Sequence, residues 1–94
     1  MDLNINGRRA LVTGASTGIG AGVAIALARE GVLLALSAQS MEALSKTATA
    51  IEAEGFEKPT LIPASLTDAA DTIRLSQEAT NALGHIDILA NCAG

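Results

Sequence analysis

The sequence predicts an α/β protein with an open, doubly wound parallel sheet, and three observations carry this prediction. Four apolar runs are each too short to form a helix, and three longer segments rich in small or amphipathic residues separate them. Each longer segment ends at a glycine: Gly31, Gly55 or Gly84. Such an alternation is typical of a parallel sheet with helices on both faces. Right-handed crossovers then favour the strand order 3-2-1-4.

The first half of the chain should form two strands and two helices. Arg9–Thr13 is apolar with a β-branched end, as expected of a buried parallel strand. The segment from Gly18 to Glu30, rich in Ala, Leu, Ile and Val, predicts a helix. Leu33–Ser37 is the second predicted strand, and Ser40 can cap a helix of about residues 41–54.

The second half should add two strands and one helix. Thr60–Ala64 is a strand-like run, and its proline lacks a backbone donor, which indicates a strand end or a sheet edge. Thr67 or Asp68 can cap a helix that continues to about residue 83. Ile86–Asn91 is the fourth predicted strand, and its largely apolar run, which is expected at a sheet edge, favours pairing with a further strand.

Composition and charge exclude several classes of protein. Of the 94 residues, 49% are apolar and 17% are charged, which is ordinary for a folded domain. The 6 basic residues are scattered among 10 acidic ones, so no nucleic acid or anionic membrane is expected as a partner. A single cysteine, Cys92, and the absence of a long apolar run predict a cytoplasmic protein without disulfides or transmembrane segments.

The stretch Thr13–Gly20 is the strongest candidate for a ligand site. Its glycines, at positions 14, 18 and 20, lie between a predicted strand and a predicted helix. A strand that turns sharply into a helix requires positive φ angles, and a phosphate can approach only bare backbone. The helix then directs its first N–H groups and partial positive charge at the anion. This pattern predicts a loop that binds phosphate groups.

The glycine spacing and the end of the fourth strand resemble a known family. Thr13–Gly20 matches the pattern T-G-x-x-x-G-I-G, and Asn91-Cys92-Ala93-Gly94 is similar to N-N-A-G. The chain therefore resembles the short-chain dehydrogenase/reductase family over its whole length. The resemblance implies a Rossmann-like fold in which residues 1–94 are the N-terminal part of a single dinucleotide-binding domain. It also implies that both motifs meet at the switch point between strands 1 and 4.

The resemblance assigns cofactor contacts residue by residue. In the loop, hydroxyl groups are expected to add donors to the bare backbone, and Gly14 and Gly18 should tolerate substitution least. The side chain of Ile19 is expected to pack in the core while its backbone contacts the cofactor. The expected cofactor-binding residues are Gly14, Ser16, Thr17, Gly18, Ile19, Gly20, Ala38, Gln39, Ser65, Leu66, Asn91, Ala93 and Gly94.

Several of these residues have a structural interpretation as well. Asn91 either orders the cofactor site or is a buried amide with satisfied hydrogen bonds. Cys92, which replaces the second Asn of the motif, is interpreted as a small packing residue rather than a nucleophile. Asp87 fits either the family pattern or a solvated strand start, and His85 is interpreted as a loop residue because metal-ligating partners are lacking in the sequence.

The choice between NAD and NADP depends on the end of the second strand. An acidic residue about 20 positions past the loop would bind the ribose hydroxyls of NAD. That position is Ala38, and the next residue, Gln39, is not the Arg that would indicate NADP. Gln39, Ser37 and Ser40 can still hydrogen-bond a 2′-phosphate. The cofactor is therefore predicted to be NAD(P), with NADP slightly favoured over NAD.

Catalytic residues cannot be assigned within this sequence. The resembled family uses a Tyr-x-x-x-Lys pair and a Ser downstream of N-N-A-G, and this chain contains no tyrosine. One hypothesis is that the 94 residues are the inactive cofactor-binding portion of an oxidoreductase that transfers hydride between nicotinamide and a carbonyl or alcohol substrate. The complete enzyme would be a homo-oligomer. The alternative is a complete, non-catalytic nucleotide-binding or interaction module.

Overall fold

The structure, a computed structural model, describes residues 5–16 and 18–92, which form alternating strands and helices. In chain order these elements are β1 (Arg9–Thr13), α1 (Gly18–Arg29), β2 (Leu33–Ala38), α2 (Met41–Ala53), β3 (Thr60–Pro63), α3 (Ala69–Leu83) and β4 (Ile88–Asn91). All strand pairs are parallel, in the order β3-β2-β1-β4. The predicted fold class and strand order are confirmed, and the element bounds differ only at their ends.

The helices begin and end where local chemistry favours it. The Ser40 side chain accepts a hydrogen bond from the Ala43 N–H at 3.1 Å, so it caps α2 as predicted. Asp68, rather than Thr67, caps α3, because its carboxylate accepts from the Ala70 N–H at 2.9 Å. After α3 the chain turns at Gly84, whose φ of +85° is accessible to glycine at little energetic penalty.

Successive side chains of a strand point to opposite faces of the sheet, and helices pack against both faces. On one face, α1 and α2 cover a core that includes Val12, Leu36, Leu44 and Ile51. On the other face, α3 covers the cluster Leu11, Ala35, Ile62, Ala64, Leu75, Ala79 and Leu83. These two cores hold the carboxyl ends of the strands in a fixed arrangement.

The two edge strands of the sheet, among the described residues, are β3 and β4. The strand β3 forms one edge and ends at Pro63, so both interpretations of this proline are confirmed. At the other edge, β4 leaves the Leu89 side chain 65% exposed. No helix among the described residues is long and apolar enough to cross a membrane.

Asp87 joins the start of β1 to the segment that leads into β4. Its carboxylate accepts a hydrogen bond from the Arg9 N–H at 2.9 Å, and its own N–H donates to the Arg9 carbonyl at 2.8 Å. The Arg9 N–H is the main reason why the pKa of Asp87 lies below its ordinary value. His85 lies beside it, exposed, with Nε2 at 3.1 Å from the same carboxylate. Asp87 therefore stabilises strand pairing at the end of the sheet opposite the glycine loop.

Candidate functional site

A cleft of about 630 Å³ lies at the carboxyl ends of the strands. It is formed by the glycine loop after β1, the turn after β2, the segment after β3 and the end of β4. The lining residues are Thr13, Gly14, Ser16, Ser37, Ala38, Gln39, Ser40, Ala64, Leu66, Thr67 and Asn91. A cleft in this position is where open parallel sheets bind their ligands.

Hydrogen bonds from two directions hold the loop between β1 and α1. Gly14 has a φ of +66°, which lets the chain leave β1 sharply. The next residue, Ala15, is fully buried, and its N–H donates to the Ser37 carbonyl at 3.0 Å. Its carbonyl accepts from the Thr47 hydroxyl of α2 at 2.9 Å. The loop is therefore tied both to β2 and to α2, which sequence reasoning did not anticipate.

The later two glycines of the loop have different structural roles. Gly18, with a φ of +57°, begins α1, and a Cβ added there would meet no atom within 4 Å. Gly20 is buried against the loop, and a Cβ there would lie 1.8 Å from the Gly14 carbonyl oxygen. Gly14 and Gly18 have positive φ angles that strain other residues, so their expected intolerance of substitution stays a prediction, and Gly20 adds a steric restriction that the sequence did not indicate. Gly20 therefore packs against the loop backbone, and its predicted contact with the cofactor stays a prediction.

Ile19 differs from its predicted environment. Its side chain is 81% exposed, so the expectation that it packs in the core is wrong for the described structure. Ile19 lies in the first turn of α1, whose buried residues are Gly20, Ala24 and Ala28, so its side chain is not on the buried face of the helix. Gly18, Ile19 and Gly20 do not line the cleft with their atoms, although they form the helix start next to it.

The switch point between β1 and β4 brings the two predicted motifs together. Thr13 pairs with Asn91 in the register, and the Thr13 hydroxyl donates to Asn91 Oδ1 at 2.9 Å. The Cys92 N–H donates to the Thr13 carbonyl at 3.1 Å. Asn91 is exposed at the cleft, so its interpretation as a buried amide is wrong. Cys92 is half-buried and packs against the core.

The turn after β2 and the segment after β3 form the other side of the cleft. Ala38, Gln39 and Ser40 line it, and the Ala64 N–H donates to the Ala38 carbonyl at 3.0 Å. Leu66, 40% exposed, also lines it. The structure thus brings Gly14, Ser16, Ala38, Gln39, Leu66 and Asn91, all predicted cofactor contacts, into one cleft.

Ser65 does not line this cleft, although it was expected to contact the ligand. Its N–H donates to the Asp71 carboxylate at 2.8 Å, and its hydroxyl lies 2.8 Å from that of Thr67. The hydrogen bond from Ser65 is the main reason why the pKa of Asp71 lies below its ordinary value. Thr67, which sequence reasoning did not select as a contact, lines the cleft instead.

The described lining carries hydroxyl, amide and backbone groups but no charged side chain. Neither a carboxylate to bind ribose hydroxyls nor a guanidinium to neutralise a phosphate is among the described lining residues. Within residues 5–16 and 18–92, no group of three or more metal-ligating side chains occurs. Thr17, Ala93 and Gly94, also predicted contacts, lie outside the described residues.

A second, smaller cavity of about 210 Å³ lies at the opposite ends of the strands. Val32, Phe56, Lys58 and Thr60 are among its lining residues, at the starts of β2 and β3. It is remote from the glycine loop and from the carboxyl ends of the strands, where open parallel sheets bind their ligands. The cleft at the carboxyl ends is therefore the candidate site.

The fold and this cleft define an α/β protein of the Rossmann type with a glycine loop at its switch point. The family model described as short chain dehydrogenase matches residues 8–94. The chain therefore belongs to the short-chain dehydrogenase family of oxidoreductases, and the resemblance of its motifs to that family is confirmed.

Individual relatives agree with this assignment. Glycine betaine reductase ATRR of Emericella nidulans is 44% identical over 90 residues, which is 96% of this chain and 7% of that protein. The fatty acyl-CoA reductase of Acinetobacter baylyi is 38% identical, over 97% of this chain and 30% of that protein. The chain thus spans less than a third of either relative.

Solved structures of similar fold include a sugar reductase and a sugar dehydrogenase. The L-sorbose reductase of Gluconobacter frateurii, complexed with NADPH and L-sorbose, superposes with a TM-score of 0.92 at 28% identity, over all of this chain and 36% of that one. The glucose dehydrogenase of Caenorhabditis elegans, in its apo form, has a TM-score of 0.91 at 30% identity, over 96% of this chain and 39% of that one.

Proposed function

We propose that this chain binds NAD(P)(H) in the cleft at its switch point. On this proposal, residues 1–94 are the N-terminal part of a single dinucleotide-binding domain. The observation that carries it is the glycine loop, whose Gly14 and Ser16 line a cleft beside the start of α1. The open space at Gly18, together with its positive φ, fits a phosphate group that requires close approach to the backbone.

Different parts of the cleft suit different parts of a dinucleotide. The loop backbone and the partial positive charge at the start of α1 would bind the pyrophosphate. Ala38 and Gln39 would contact the ribose next to the adenine, and Leu66 offers an apolar surface for the adenine itself. Asn91, held by the Thr13 hydroxyl, would order the other end of the site. Contacts by Thr17, Ala93 and Gly94 stay predictions.

A slight preference for NADP over NAD is part of the proposal. The described lining lacks an acidic side chain, so nothing there repels a 2′-phosphate. Ser37, Gln39 and Ser40 line the same region and offer hydrogen-bond donors. The similarity to the L-sorbose reductase, whose structure contains NADPH, supports the same preference.

The proposed activity is hydride transfer between the nicotinamide and a carbonyl or alcohol substrate. A bound NAD(P)(H) would supply or accept the hydride, and residues of this chain would bind and orient it. The acid/base pair Tyr-x-x-x-Lys and the catalytic Ser would lie beyond residue 94 in a complete homo-oligomeric enzyme. The 94 residues alone would then be inactive. A cytoplasmic location, inferred from the lone Cys92, also stays a prediction.

A pair of matched glycine variants tests the proposed site in the full natural chain. Gly18→Val places a branched side chain in the space that the pyrophosphate requires. Gly7→Val is the control, because Gly7 has a φ of +82° and likewise no atom within 4 Å of an added Cβ. Both variants should lose a similar 1–2 kcal/mol, roughly, of folding stability from backbone strain.

Only Gly18→Val should lose dinucleotide affinity, by at least about tenfold, or 1.4 kcal/mol. Isothermal titration with NADP and NAD measures this, and urea unfolding measures the stability of each variant. Unchanged affinity in Gly18→Val would refute the proposed site. An affinity for NADP no greater than that for NAD would refute the cofactor preference.

A further inference from the structure

We propose that Thr47 is a positioning residue that orients the phosphate-binding loop from the neighbouring helix α2. This inference rests on the proposed function, because it concerns how the same loop binds a pyrophosphate. Thr47 lies outside the glycine motif, in the middle of α2, and it is not among the residues that line the cleft. Its effect on a ligand would therefore be exerted through the loop.

The contact between Thr47 and the loop is buried and direct. The Thr47 residue is 4% exposed, and its hydroxyl lies 2.9 Å from the Ala15 carbonyl oxygen and 3.4 Å from that of Ser16. A hydroxyl has a single hydrogen, so the shorter contact is the principal hydrogen bond. The hydroxyl thus holds the Ala15–Ser16 peptide from the side of α2.

The orientation of that peptide decides where the Ser16 N–H points. In a trans peptide the carbonyl of one residue and the N–H of the next point in opposite directions, and no described peptide bond is cis. With the Ala15 carbonyl held toward α2, the Ser16 N–H points away from α2. Ser16 lines the cleft, and on this proposal its N–H is a donor for a ligand there. The preceding Gly14–Ala15 peptide is held separately, because the Ala15 N–H donates to the Ser37 carbonyl at 3.0 Å.

A neighbouring threonine shows that this contact is specific. Thr49 lies two residues further along α2, is exposed, and donates its hydroxyl to the Ser45 carbonyl at 2.9 Å within the helix. That bond is the usual one for threonine in a helix interior. The Thr47 hydroxyl instead leaves the helix and reaches residues more than thirty positions earlier in the chain. Thr49 therefore provides a matched control.

The test compares hydroxyl removal at the two threonines in the full natural chain. Thr47→Val keeps the shape and the branched Cβ but removes the donor, Thr47→Ser keeps the donor, and Thr49→Val removes a hydroxyl that does not touch the loop. The probes are ADP-ribose, which contains the pyrophosphate, and AMP, which does not. Isothermal titration measures both affinities, and thermal unfolding measures stability.

We expect Thr47→Val to weaken ADP-ribose binding about tenfold, which corresponds to 1.4 kcal/mol, and to leave AMP binding unchanged. Thr47→Ser and Thr49→Val should bind both probes within about twofold of the wild type. If Thr47→Val does not fold, Thr47→Ala and Thr47→Ser form a second pair that differs only in the hydroxyl, and the same tenfold difference is expected between them.

The outcomes separate this inference from the proposed function. Wild-type protein that binds neither ADP-ribose nor NADP would refute the proposed function itself. Wild-type binding with equal ADP-ribose affinity in Thr47→Val would overturn only the role of Thr47. Equal losses for ADP-ribose and AMP in Thr47→Val would also overturn it, because such losses would mean a general structural role.

Discussion

Replacing Gly20 with alanine should displace the glycine loop, because Gly20 packs directly against the loop backbone. The added Cβ would lie 1.8 Å from the Gly14 carbonyl oxygen and 2.6 Å from its carbonyl carbon. Non-bonded carbon atoms rest roughly 3.5 Å apart, so α1 and the loop must separate by more than about 1 Å. Both contacts are backbone atoms, so no side chain can rotate away to relieve them.

Gly20→Ala should lower both the stability of the protein and its affinity for NADP. Overpacking of a buried site should lower the free energy of unfolding by about 1–3 kcal/mol. Displacement of the loop should lower affinity for NADP by at least about tenfold, or 1.4 kcal/mol, because the loop backbone would no longer meet the pyrophosphate. Urea unfolding measures the first quantity, and titration with NADP measures the second.

The control is Gly22→Ala, two residues later in α1. An added Cβ at Gly22 meets no atom within 4 Å, and the residue lies in the helix interior. Alanine there should stabilise the protein by about 0.5–1 kcal/mol and leave affinity unchanged. The reasoning would be wrong if Gly20→Ala matched Gly22→Ala in both stability and affinity.

Two further predictions concern the cleft and the segment after β3. Ala38→Asp should shift the cofactor preference from NADP toward NAD, because a carboxylate there would repel a 2′-phosphate and accept from the ribose hydroxyls; the ratio of the two dissociation constants checks this. The pKa of Asp71 is lowered in the folded state, chiefly because its carboxylate accepts a hydrogen bond from the Ser65 N–H. Its ionised form therefore stabilises the fold above the unfolded pKa of about 4, and this stabilisation is lost as the pH falls through the folded pKa. Urea unfolding between about pH 6 and pH 2 should therefore show a shallower acid decline in Asp71→Asn, and an unchanged slope would contradict this account.

Much of the fold could be predicted from local sequence. The run Arg9–Thr13, the helix cap at Ser40 and the glycine after α3 are signals contained within a few residues, and the structure has each of them as predicted. Pro63 alone predicted that its strand ends there or lies at the sheet edge, because a missing backbone donor is tolerated only at such positions, and β3 has both properties. Thr67 was a weaker signal, since two adjacent residues there could cap α3 and only the geometry distinguishes them.

The sequence by itself determined the alternation of strands and helices, the strand order and the glycine loop, because these follow from hydrophobic periodicity, turn chemistry and the handedness of crossovers. Only the tertiary structure decided the packing role of Gly20, the exposure of Ile19 and Asn91, and the contact of Thr47 with Ala15. Each of these depends on which distant segments meet across the sheet. A local sequence pattern does not say which distant segments come into contact, and only the structure shows those contacts.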